Sequence, residues 1–452
     1  MWSIEGNCTI GTDCDPELYP DDAPGARIRM TADDVTFLST WQRASGIKLD
    51  MTYNAVGTVE ERQRSGGTDQ LERALLARKG EMRWISHTYT HKYLGCIQDF
   101  STTPWACATD SAGNIRYLPR ADIGQEIWQN CLYGWNNRLP NQDDTVLVTG
   151  QHSGLKTAPQ MSVDNPNLAG ALRDTTIRWV ASDASREKDI RQIGPATTVP
   201  RYPMNVFYNN AFKDQAVDEY NWIYTARADG GSGICEDNPA TTTCIAPLDT
   251  ATAYDSYIVP LEARIALGHV LGNDPRPHFA HQANLTGERI LYPVIDQMNA
   301  SYRDLFADNT PLLNPTMQAA GAELVRQADW RAQQGAVQAT LRGSTLTLRN
   351  TGSRIVQVPV TVPEGSRTAG WFGRAFGSSY AGQRSEYTML TPWISTQVSL
   401  GSNPGFATTA TWSSAPAVDS DLVLTPQPEV ERRRPTSIIE AMEAISRWYT
   451  DW

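Results

Sequence analysis

The chain has 452 residues, 40% of them hydrophobic and 20% charged, which is enough for a large core and for two domains. Its formal net charge of -11 argues against a phosphate-binding surface, and so against nucleic acid as a partner. No apolar run reaches the ~18 residues needed to cross a bilayer, so no membrane span is predicted.

Residues 1–24 read as a loop-rich lead-in without the basic and apolar regions of a signal peptide. Residues 26–31 alternate as a strand ending at Ala32-Asp33-Asp34; Val35 to Trp41 follow as a helix and Ile47 to Thr52 as a second strand. Leu71, Leu75 and Leu76 fall at helical spacing between Gly67 and Lys79, with Gly80 suited to the C-cap. The next strand, beginning at Arg83, runs into His87-Thr88-Tyr89-Thr90-His91. Repeated strand-helix units predict a parallel sheet with crossover helices. Further strands at Thr145–Thr149 and Thr176–Ala181 end in Gly150-Gln151-His152-Ser153 and Ser182-Asp183. A helix from about Pro260 to Val270 precedes His278-Phe279-Ala280-His281. Polar clusters at the carboxyl ends of strands are the pattern of a (β/α) barrel, here expected to be distorted or incomplete.

Helices around residues 290–306 and 316–334 close this region. From Val337 the text alternates with period two, and Val337 to Asn350 and Ile355 to Val362 read as a hairpin about a Thr-Gly-Ser turn. The expected organisation is a catalytic α/β domain over 25–335, a small β-sandwich-like domain over 336–425, and a linker with a terminal helix over 426–452. Six of the seven cysteines fall into three close pairs, Cys8/Cys14, Cys96/Cys107 and Cys235/Cys244, each across a loop; Cys131 is left as a buried thiol on a helix. Disulfide usage of this kind predicts a secreted or cell-surface protein.

Chemistry centres on His87 and His91. On a helical turn, positions i and i+4 share a face, so two imidazoles can hold one cation; the alternative is a pair of polar residues on a solvated turn. A zinc peptidase needs Glu after the first histidine, and Thr88 stands there, which disfavours peptidase chemistry. Asp33-Asp34 could supply a ligand and a base, or serve only as a helix N-cap.

Thr31-Ala32-Asp33-Asp34 and His87-Thr88-Tyr89-Thr90-His91 resemble the first two motifs of the NodB-homology polysaccharide deacetylases, Thr-Phe-Asp-Asp and His-Ser/Thr-x-x-His, with Ala32 as the one departure. Flanking residues, including Gly150 to Leu155 and His281 to Leu285, look closer to the galactosaminogalactan deacetylases of fungi and their bacterial relatives, and the resemblance covers roughly residues 25 to 310. It implies Asp33 as general base, and Asp34, His87 and His91 as ligands to a divalent metal, zinc first, with cobalt, nickel or manganese as other options. The last motif matches at Phe279-Ala280-His281, which implies His281 as general acid, with His278 as a near competitor. Arg201 (before Tyr202-Pro203), Trp179 and Asp183 fit the orienting and substrate-binding motifs, but in an unusual order; otherwise Gly150-Gln151-His152-Ser153 takes the third motif's place, with His152 toward substrate. The implied activity is removal of N-acetyl groups from an amino-sugar exopolysaccharide, with N-acetylgalactosamine as the expected sugar. Alternatives are a chitin or peptidoglycan deacetylase, or an inactive carbohydrate-binding or structural protein on the same scaffold.

Overall fold

The computed structural model describes residues 4–5, 27–101, 105–157, 160–206, 209–239, 242–370 and 373–402. They fall into two units: the described residues up to Tyr302 with Leu313–Leu324, and Arg303–Leu312 with the described residues from Val325 onward. Cys8, Cys14 and the expected linker and terminal helix lie outside the described residues.

Six parallel strands organise the first unit: β1 (Asp50–Tyr53), β2 (Arg83–Ser86), β3 (Gln142–Leu147), β4 (Trp179–Asp183), β5 (Ala196–Pro203) and β6 (His278–Phe279). Each lies beside its predecessor, in the order β6-β5-β4-β3-β2-β1, and a short strand, Gln192–Ile193, adds antiparallel to β5. A monotonic order with helices between strands winds the sheet one way, as in a (β/α) barrel; a doubly wound sheet would reverse it. The sheet is a curled half-barrel, α/β in class as expected.

Period two divides the strand side chains between two faces. Trp84, Leu147 and Val180 face outward, the last two onto the helices Arg120–Asn136 and Leu168–Asp174 through Ile123, Ile127, Leu168 and Leu172. Ile85, Val146, Val148, Ala181 and Val199 face the concave side, where Met317 and Leu324 plug the amino-terminal end. Continuing the alternation past the plug brings His87, Asp183 and Arg201 to the concave face at the carboxyl ends of their strands.

The strand expected at residues 26–31 is only Arg27–Ile28, and it pairs antiparallel with Ile4–Glu5 outside the parallel sheet. The helix Ala32–Ser45 begins earlier than expected because Thr31 caps it, so Asp33 and Asp34 occupy its first turn.

In the second unit two antiparallel sheets share a core of Leu348, Val356, Val358, Val360, Phe376 and Val398. The hairpin is not where the sequence suggested. Val337–Arg342 pairs with Thr345–Asn350 about Gly343, whose φ of 57° suits a tight turn, while Val356–Pro363 pairs with Gln383–Leu390 in the other sheet. Both cysteine pairs that fall among the described residues, Cys96–Cys107 and Cys235–Cys244, are disulfides, and Cys131 is a buried free thiol.

Candidate active site

The segment after β2 is not helical. Thr88 and His91 have φ of 63° and 61°, a left-handed conformation rare outside glycine, and the two histidine rings still meet edge to face at 4.8 Å. Convergence comes from the loop and from its neighbours. Asn54, just past β1, donates its side-chain amide to the carbonyl oxygens of His87 and Thr88. Glu126, from the helix Arg120–Asn136, accepts from the Thr90 N–H and hydroxyl, both at 2.8 Å. Gly150 makes room, since a Cβ there would stand 2.7 Å from the His91 ring.

His87 Nδ1 lies 3.0 Å from the Val148 carbonyl, which fixes this nitrogen as the donor and leaves Nε2 as the acceptor in the neutral ring. Burial, then His91, holds its pKa well below 6.5, and burial brings that of His91 down to about 4. Both are therefore neutral imidazoles at neutral pH. Gln151 and His152, after β3, continue the run of left-handed residues at φ 56° and 53°. Such a concentration of backbone strain around one cleft is typical of functional sites.

Across the cleft, β4 and β5 place Asp183 and Arg201 side by side in register. Asp183 Oδ1 accepts from the Ser185 N–H at 2.8 Å and hydroxyl at 2.7 Å, while Oδ2 stands 3.9 Å from His152 Nε2. Burial, with Arg201 and Arg186 adding to it, keeps His152 neutral, so this is a contact of a carboxylate with an uncharged ring. The Arg201 guanidinium lies 4.5 Å from the Phe279 ring centre. Phe279 is 5.4 Å from the His152 ring and 6.0 Å from that of His281.

His281 and His278 are separated by strand alternation. Phe279 pairs with Pro203 and shares the concave face with Arg201, and His281, two residues on, follows it. His278 pairs with Tyr202 on the other face, where its Nε2 meets His269 Nδ1 at 2.9 Å. His281 faces solvent but is flanked by protein; burial, then Arg201 and His91, lowers its pKa to about 4.

The structure thus collects His87, His91, His152, Asp183, Arg201 and His281 in one cleft. It does not bring Trp179 there. That ring shares the concave face with Asp183 but sits four residues earlier on β4, at the plugged end, where a Cβ on Gly321 would be 2.6 Å from it. It is partly buried and packs against the Met317 and Leu324 cluster.

Asp33 is exposed in the first helical turn. Asp34 is buried and fully engaged: Oδ2 accepts from Thr31 N–H and hydroxyl, both at 2.9 Å, and from Thr286 at 2.7 Å, while Oδ1 accepts from Arg289 Nε at 2.8 Å. Burial works against ionisation, but these hydrogen bonds outweigh it and hold the pKa below the ordinary 3.8. Among the described residues no group of three His, Cys, Asp or Glu side chains is placed to hold a metal ion. The neutral histidine pair suits a metal; the Asp34 carboxylate, paired to a guanidinium, does not complete the set as it stands. Asn54, Glu126, Thr286 and Arg289 were not singled out from sequence as site residues. None carries a local signal, since each acts on a partner remote in the chain.

No protein-family model matches the chain, and no curated protein matches it by sequence. Among solved structures, the chain resembles Agd3, a carbohydrate deacetylase, with a TM-score of 0.60 and 16% identity over 86% of this chain. It spans 63% of the length of that protein, and at this identity the likeness is one of fold. A 4-alpha-glucanotransferase from Thermococcus litoralis aligns over 61% of this chain and 36% of its own at a TM-score of 0.30, too low to bear on the architecture.

Proposed function

We propose that the protein is a hydrolase that removes N-acetyl groups from an amino-sugar polysaccharide, with an N-acetylgalactosamine-containing exopolysaccharide as the first substrate to test. One observation carries the reading: six polar residues singled out from sequence for this chemistry converge at the carboxyl end of a half-barrel, on a fold shared with a carbohydrate deacetylase. The two disulfides fit an exported protein working on such a polymer.

Hydrolysis adds one water to the acetamide, breaks the carbon–nitrogen bond, and leaves acetate and a sugar ammonium. Asp33, exposed and carried on a helix amino terminus, is the base in this reading and His281 the acid. Asp33 takes one proton from the attacking water, and His281 supplies one to the sugar nitrogen as the carbon–nitrogen bond breaks. Arg201 provides positive charge beside the carbonyl oxygen as it becomes an oxyanion. A divalent cation, zinc first, remains part of the proposal through His87 and His91; since Asp34 does not complete its ligands here, no step is assigned to it.

The test is acetate release from N-acetylated galactosamine polymer, chitin oligomers and peptidoglycan, with and without chelator, by the full chain and by His87→Ala and His281→Ala. Release that is lost in both variants supports the reading. The incomplete ligand set favours one second reading, a carbohydrate-binding protein without activity. Binding of these polymers with no acetate released from any of them, with or without added metal, would establish that instead.

A further inference from the structure

Arg201 stands out among the buried cations. It is 9% exposed, and its guanidinium donates no hydrogen bond to any described residue; Nε is buried without a partner. Asp183, its neighbour in register, spends Oδ1 on Ser185 and turns Oδ2 toward His152 and the Arg186 guanidinium, 4.0 Å away. A desolvated guanidinium without hydrogen bonds costs a protein stability unless something else satisfies it.

Its surroundings define what that is. Phe279 covers one face of the guanidinium at 4.5 Å, so its hydrogen-bonding edge remains for a partner. The planar fork of an arginine matches a planar, singly charged carboxylate, and Asp183 alongside disfavours a more highly charged anion such as phosphate.

We propose that Arg201 anchors a carboxylate-binding subsite within the cleft. The group it takes is the acetate left by deacetylation or an acidic sugar of the polymer. Arg201 thus faces a ligand across the cleft instead of orienting Asp33. The inference rests on the proposed function for the source of the carboxylate only, because binding is measured without turnover.

The experiment titrates acetate, glucuronate and neutral acetamide into the full chain at pH 7, by calorimetry and by broadening of the ligand proton signals, with Arg201→Gln and Arg201→Lys beside it. Acetate is expected to bind at one site about tenfold or more tighter than acetamide, and Arg201→Gln to lose at least that factor. Binding of glucuronate but not acetate, with the same dependence on Arg201, assigns the carboxylate to the polymer. The subsite is refuted if neither carboxylate binds, if acetamide binds as tightly, or if Arg201→Gln retains full affinity. Should circular dichroism show Arg201→Gln unfolded, the comparison of acetate with acetamide on the wild type and Arg201→Lys decides alone. Acetate binding without any deacetylation would count against the proposed function and leave the subsite standing.

Discussion

Arg289 Nε donates to Asp34 Oδ1 at 2.8 Å, across 255 positions of sequence. Arg289 reaches it from a left-handed backbone, φ 56°, with its guanidinium lying over Phe37 at 4.3 Å. The pair ties the first turn of Ala32–Ser45, which carries Asp33, to the segment that follows His281. The carboxylate expected from sequence to bind a metal here joins that helix to the segment after His281.

Asp34→Asn is expected to lower stability by about 2–4 kcal/mol, because it leaves a partly buried guanidinium without its charge partner. The Asp34 pKa is depressed in the fold, so its contribution is present above 3.8 and disappears as pH falls through the lower folded value. Denaturant melts of the two proteins should therefore converge in acid. Cobalt spectroscopy gives an independent readout: in the arrangement seen, His91→Ala abolishes any cobalt absorption band while Asp34→Asn changes it little. Equal loss in both variants would make Asp34 a ligand after all.

Glu126 holds the histidine loop with both oxygens on Thr90. Glu126→Ala should cost about 1–3 kcal/mol and speed amide exchange over residues 88–91, with exchange in β2 and β3 unchanged. Glu126→Gln keeps one acceptor and should fall between. Unaltered exchange in the loop of the alanine variant would remove Glu126 from its support.

Glu262 lies buried on the helix Val259–Leu271, accepting from the Asn205 N–H at 3.3 Å and side-chain amide at 3.1 Å. Burial raises its pKa from 4.5 to about 7, against the pull of these hydrogen bonds. A raised folded pKa means a contribution complete below 4.5 and lost as pH rises toward 7, on the order of 3 kcal/mol. Glu262→Gln should flatten the stability profile over that window. A wild-type profile that is already flat between pH 4.5 and 7 would show that Glu262 is not held protonated.

The disulfides Cys96–Cys107 and Cys235–Cys244 close spans of 11 and 9 residues. Loop-closure entropy puts each at about 2.5–3 kcal/mol, so reduction should lower the melting temperature measurably. Cys131 is buried, with its pKa pushed up to about 11, chiefly by burial, and should resist alkylation until the protein is denatured. Thermal melts with and without reductant read the first statement, and peptide mapping after native and denatured alkylation, without reductant, reads the second.

Much of this protein is set by sequence alone, because strand alternation and short-range spacing are local properties. Period two carries His87, Asp183 and Arg201 to one face; short spacing identifies Cys96–Cys107 and Cys235–Cys244; and Phe279-Ala280-His281 is recognisable as a strand end. Tertiary structure decided the remainder. Whether His278 or His281 enters the cleft depends on which face β6 turns toward β5, and Trp179 belongs to the plugged end because a helix beginning more than 130 residues later packs there. Asp34 had a metal or a helix cap open to it from sequence, and in the fold Thr286 and Arg289 also reach its carboxylate. Their arrival at its carboxylate is a matter of how the chain returns through space, and no pattern of neighbouring residues encodes it.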